Sequence, residues 1–229
     1  MLKHVAVAVA LIFSSIAAVA QTYIVPDANC GAITMHLARG TDPTKLSEAI
    51  DVDTVNNAHL FVVRFRKLEL KPTTKYRSVV FSADMPEKGI VMATADFKPV
   101  VSGNETRTDY AKAFVYCDGT TPAFDWQTTT GLACEIFPQW NGAILHLKPG
   151  DAMHFIVVQD GHNLLRDVPM ELYRVGTGRI EGGKRDEVGM NFPYKGPGRY
   201  LVTATYRRHD PKQPDKWLVD TSTLTFELK

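Results

Sequence analysis

The sequence predicts an all-β protein, built from two immunoglobulin-like or transthyretin-like β-sandwich modules, and three observations carry that prediction. Short runs of alternating apolar and polar residues recur along most of the chain, as half-buried strands require. Gly and Pro punctuate these runs at short intervals, as in Lys195-Gly196-Pro197-Gly198. Helical spacing is confined to residues 44–50, where Asp42-Pro43-Thr44 offers a start and Leu46, Ala49 and Ile50 recur on one face.

Taken in order, residues 1–20 read as a cleaved secretory signal. A short basic start with Lys3 leads into an apolar run too short to span a bilayer comfortably, closed by Ala18-Val19-Ala20. The expected localisation is therefore periplasmic or secreted, with Gln21 as the new N-terminus and no membrane span in the remaining chain. Removing Lys3 leaves 25 basic residues against 25 acidic ones. That balance speaks against nucleic acid as a partner, because neutralising phosphates needs a basic excess.

The first module is expected over residues 21–118. It holds an extended piece at 22–25 stopped by Pro26, then strands at 32–37, 59–67, 76–83, 89–97 and 109–116, with a polar connection over 101–108. Phe61, Val63 and Phe65 alternate with Arg64 and Arg66, the pattern of a sheet with one wet face. Residues 119–131 are rich in Asp, Gly, Thr and Pro and read as a linker. The second module, 132–229, is expected to contain strands near 132–137, 143–147, 152–158, 167–175, 187–193, 198–208 and 216–228. Tyr200, Val202, Ala204 and Tyr206 share one face of its clearest strand, and Leu224, Phe226 and Leu228 do the same in the last.

Three cysteines are present: Cys30, Cys117 and Cys134. In an oxidising compartment a disulfide is the default, and Cys117 and Cys134, which bracket the polar linker, are the expected pair. Cys30 is left as a single thiol, buried or reactive.

No hydrolase elbow, zincin helix, Cys-x-x-Cys, phosphate loop or dinucleotide fingerprint occurs, so a non-enzymatic role is expected. His154, Asp160 and His162, joined by His146, form the candidate metal site. Imidazole and carboxylate donors suit nickel, cobalt, copper or zinc ions. Two plainer readings stand beside it. His154 has the strand parity of Ile156 and Val158, and Asp160-Gly161-His162-Asn163 has the composition of a hairpin turn. Phe124, Trp126, Trp140 and Trp217 could line a sugar- or peptide-binding surface or plug the core, and Asn104-Glu105-Thr106 matches a glycosylation acceptor.

Five segments, residues 109–115, 131–138, 147–151, 163–172 and 195–202, resemble in order an uncharacterised family of exported bacterial proteins. Its members are labelled NikM-like nickel/cobalt-transport periplasmic components and share a strand with transthyretin-like and collagen-binding-repeat-like modules. The resemblance implies a periplasmic binding or accessory protein linked to transition-metal uptake, with an envelope or transporter protein as partner. Members commonly begin after signal cleavage with a histidine that can chelate metal, and Gln21 replaces it here. The alternative, from a different class, is a cell-envelope structural or interaction module that binds a protein or glycan.

Overall fold

The computed structural model describes residues 21–29, 32–40, 48–49, 54–62, 66–69, 72–75, 78–84, 89–117, 129–139 and 147–228. Every regular element longer than one residue among them is a strand, as the alternation predicts. In chain order these are β1 (Gln21–Asn29), β2 (Ala32–Gly40), β3 (Glu48–Ala49), β4 (Val55–Val62), β5 (Arg66–Glu69), β6 (Pro72–Lys75), β7 (Ser78–Asp84), β8 (Gly89–Phe97), β9 (Val100–Ser102) and β10 (Glu105–Cys117). They continue as β11 (Cys134–Pro138), β12 (Ala152–Gln159), β13 (Asn163–Leu165), β14 (Met170–Arg174), β15 (Gly178–Arg179), β16 (Lys184–Arg185), β17 (Met190–Pro193), β18 (Gly198–Asp210) and β19 (Gln213–Leu228). No helix among the described residues is long and apolar enough to cross a membrane.

The strands form three sheets. A nine-stranded sheet runs β15-β14-β18-β19-β10-β8-β4-β5, with β9 also on β10. One five-stranded sheet runs β1-β2-β7-β6 with β3 on β2, and the other runs β11-β12-β17-β16 with β13 on β12. The two five-stranded sheets cover opposite faces of the nine-stranded one, and strand parity shows it. Tyr200, Val202, Ala204, Leu224, Phe226 and Leu228 point into a core shared with Ile136, Met153, Phe155 and Phe192 of β11, β12 and β17. Leu201, one residue out of phase, packs instead against Tyr23 and Val25 of β1. Tyr200 and Phe226 stack with ring centroids 5.5 Å apart, and Phe155 leans on Phe226 at 5.9 Å. Contacts of this kind contribute beyond the area they bury.

The covered second face explains the threonines of β19. Thr221, Thr223 and Thr225 are buried although they alternate with the apolar core residues, because β1 lies over them. The Thr223 hydroxyl donates to the Thr22 carbonyl at 2.8 Å. Among the described residues β1 is an edge strand that pairs with β2, and Pro26, opposite Met35, continues the strand instead of stopping it.

Several expectations are corrected. Glu48 and Ala49, placed in a helix over 44–50, form strand β3 opposite Arg39 and Ala38. The stretch 59–67 is not one strand, since β4 and β5 pair antiparallel with Val62 opposite Arg66. A period of two reads the same through a straight strand and a reversal. The strand expected at 167–175 starts later, as β14 from Met170, and a separate short strand, β13, precedes it. β13 pairs with β12 and β14 with β18, so the chain passes from one sheet to another through Asp167, at positive φ, and Pro169.

The expected boundary at 119–131 does not divide the sheets between the two halves of the chain. β10, from before this stretch, pairs in parallel with β19 from Glu105↔Trp217 to Ala113↔Thr225, so one sheet contains both halves of the chain. Residues 119–128 and, apart from Leu147, the expected strand at 143–147 lie outside the described residues.

Candidate functional site

The least ordinary chemistry lies where β10 meets β11. Lys112 shares strand parity with Tyr110 and Phe114, and its side chain crosses to Glu135 of β11. The Nζ–Oε1 distance is 2.6 Å, and both side chains are 0 % exposed. The Thr130 backbone N–H donates to both Glu135 oxygens, at 3.2 and 3.0 Å, and the Thr130 hydroxyl lies 2.9 Å from Oε1. Lys112 Nζ sits 4.2 Å from the Phe137 ring centroid and 5.2 Å from that of Phe114. Burial lowers the Lys112 pKa, with the adjacent Glu135 charge working against that shift.

Close by, Cys134 opens β11 as a buried free thiol, so the expected Cys117–Cys134 disulfide does not form. Its neighbours explain why. Cys134 sits close enough to Tyr110 to help raise the Tyr110 hydroxyl pKa, after burial and Asp220. Tyr110 stands seven positions before Cys117, roughly 23 Å along β10 at about 3.3 Å per residue. Burial, then the Asp220 charge, pushes the Cys134 thiol up to about 12. A thiol held neutral in this way is a poor nucleophile. Peptide mapping after alkylation near neutral pH is therefore expected to find Cys134 unmodified in the folded protein and fully modified after denaturation. Cys30 lies outside the described residues.

The predicted metal residues are not brought together. Asp160 and His162 lie in the tight turn joining β12 to β13, where Gln159 pairs with Asn163, and Asp160 takes positive φ. His154 is six residues back along β12, roughly 20 Å away at about 3.3 Å per residue. Among the described residues no three His, Cys, Asp or Glu side chains converge on a metal-sized point. His146 lies outside the described residues.

His154 instead meets a residue absent from the sequence-based candidates. Its Nε2 lies 3.1 Å from Asp186 Oδ2 without hydrogen-bond geometry, and Nε2 is buried with no hydrogen-bond partner. Asp186 closes the turn between β16 and β17. It accepts from the backbone N–H of Val188 at 2.9 Å and of Gly189 at 2.8 Å, and from Asn191 Nδ2 at 2.7 Å. The Val188 bond leads the causes that lower the Asp186 pKa to about 2, with burial opposing it and the Gly189 and Asn191 bonds adding to it.

Because the folded pKa is depressed, this turn is fully supported above the ordinary carboxylate value near 3.8 and loosens as pH falls through about 2. An NMR pH titration is expected to show the Val188 and Gly189 amide shifts moving only in that acid range. Gly189 is fixed by space. A Cβ there would meet the Phe155 carbonyl oxygen at 2.1 Å and His154 Nε2 at 2.8 Å. Gly189→Ala is expected to destabilise the fold by about 1–3 kcal/mol through overpacking, read by denaturant unfolding.

A third region lies at the far end of the nine-stranded sheet. β9 exposes Val100 and Val101, at 55 % and 68 %, beside the Gly103–Asn104 turn that leads into β10. The Trp217 backbone N–H donates to the Asn104 carbonyl at 2.8 Å. Arg207 Cζ lies 3.9 Å from the Trp217 ring centroid, and the His209 ring lies 3.7 Å from it. Arg207 also holds Glu105 at 2.6 Å. The acceptor Asn104 is exposed in the turn. Phe124, Trp126 and Trp140 lie outside the described residues.

No protein family matches the chain by its sequence profile, and no curated protein matches it.

Proposed function

We propose that the protein is an exported, non-catalytic interaction module of the cell envelope that holds a partner protein at the β9 end of its central sheet. The observation that carries this reading is the pair of exposed valines on β9, whose described neighbour in the sheet is β10 alone. A short strand with an open edge can take an extended segment of another protein by strand addition, with main-chain hydrogen bonds giving affinity and apolar side chains giving selectivity. Trp217 already has Arg207 and His209 against its ring, which favours a peptide segment over a stacked sugar. Export, and with it a periplasmic location, rests on the signal-like residues 1–20.

A photo-crosslinking residue at Val101 tests this in cells carrying the full chain. A discrete protein adduct is expected at Val101 and not at exposed Glu181. Equal labelling from both positions, or none, overturns it.

A second reading, transition-metal binding, is favoured by His154 Nε2, which is buried without a hydrogen bond beside Asp186. Its other support is the resemblance to exported proteins labelled for nickel and cobalt uptake. Two donors are too few for a tight site, so the reading requires a third. Titration calorimetry with nickel, cobalt, copper and zinc ions, repeated on His154→Ala, decides it. Binding no tighter than the millimolar range, or unchanged in the variant, ends the metal reading.

A further inference from the structure

The meeting of Lys112 and Glu135 has the arrangement of a reactive pair. A hydrogen-bonded carboxylate oxygen 2.6 Å from Nζ holds its own carbon within about 4 Å of the nitrogen, close to the roughly 3–3.5 Å of near-attack geometry. Both groups are wholly buried, and each is fixed by its strand: Lys112 opposite Thr94 of β8 and Leu224 of β19, Glu135 opposite Val158 of β12. Phe137 and Phe114 flank the amine and limit water. The Thr130 N–H and hydroxyl converge on the carboxylate, where negative charge would grow if the carbon were attacked.

We propose that Lys112 and Glu135 condense to an intramolecular amide, making the pair a self-modification site that covalently staples the central sheet to β11. In the step, Nζ attacks the Glu135 side-chain carbon and the N–C bond forms. One carboxyl C–O bond breaks. Two protons of the ammonium leave with that oxygen as water, and one stays on the amide nitrogen. Atoms and charge balance with no oxidant, reductant or activating group.

Proton transfer along the short hydrogen bond supplies the neutral amine and acid that the step needs. Burial favours that neutral pair, in keeping with the lowered Lys112 pKa. Fixed neighbours replace the activation that amide formation needs in water, since effective molarities of well-oriented groups reach about 10⁵–10⁸ M. Loss of the product water from a dry site disfavours the reverse reaction. The product would still be a neutral, hydrogen-bonded group, where the ion pair leaves two charges in the interior.

The test is a tryptic map of the full chain, denatured after native purification and measured by mass spectrometry. Trypsin needs a free lysine side chain. Cleavage after Lys112 is therefore expected to be absent, and the segments carrying Lys112 and Glu135 are expected to travel as one branched species, lighter by one water than their sum. Thr130→Val, which keeps the backbone N–H and removes the hydroxyl, is expected to slow the appearance of that species by about 10²-fold or more. A linear peptide ending at Lys112 from protein with native β circular dichroism overturns the proposal. Unchanged kinetics in Thr130→Val overturns the part given to Thr130. The wild-type map needs no variant to fold, so the outcome is readable in every case.

Discussion

Glu135→Ala is expected to destabilise the protein by about 3–5 kcal/mol, because it leaves the Lys112 amine wholly buried with its partner gone. For a chain of this size that corresponds to a fall in Tm of about 6–20 °C. Lys112→Ala should cost a similar amount, since Glu135 would keep Thr130 but lose its only described basic partner. The double variant Lys112→Met/Glu135→Leu should recover a large part of the single-variant loss, because removing both groups leaves no uncompensated charge in the interior. Denaturant unfolding of the three variants checks this. Additive losses, with the double variant worse than either single one, would show that the two side chains act independently and that the contact has no energetic meaning.

The sequence carried part of this site and hid the rest. Lys112 stands on the parity of Tyr110 and Phe114, so a reader of the alternation meets a lysine on an apolar strand face. Glu135 sits within Leu132–Pro138, an apolar run whose strand is buried throughout. Each is an anomaly of the pattern, and anomalies of this kind mark sites. What strand parity could not supply is the pairing. β10 and β11 are separated by residues 119–131, and which strand faces which is set by long-range packing, to which local pattern is blind. Asp186 was invisible for a similar reason. Asp186-Glu187-Val188-Gly189 reads as an ordinary turn, and only its fold against β12 sets its carboxylate beside His154.

Fold class was legible for the opposite reason. Alternation is a local property, and β18 shows it over Tyr200–Tyr206 and β19 over Leu224–Leu228, with Tyr200 opposite Phe226 and Val202 opposite Leu224 in the register. Composition gave a plausible break at 119–131 because polar, Gly-rich stretches serve both as linkers between domains and as long loops within one. Distinguishing the two requires knowing whether strands pair across the stretch, and β10 pairing with β19 is a contact between residues more than a hundred positions apart.

That pairing makes a second large effect measurable. Residues 132–229 expressed alone are expected not to fold cooperatively, and residues 21–118 supplied in trans are expected to restore folding. Without β10, β19 becomes an edge along the positions from Trp217 to Thr225, several of them buried. Glu135 is left as a buried carboxylate without Lys112, at about 3–5 kcal/mol. Met92 and Phe114 leave the shared core, and the cavities cost about 2–5 kcal/mol each. Summed, these losses reach the about 5–15 kcal/mol that a whole domain has to spend. Circular dichroism with thermal melts decides the matter. A sharp, two-state transition from 132–229 alone would mean that the second half holds its own core and that the shared sheet joins two independent units. A melt that appears only on mixing would mean that the halves are one folding unit, with β10 as the strand that the rest of the core cannot replace.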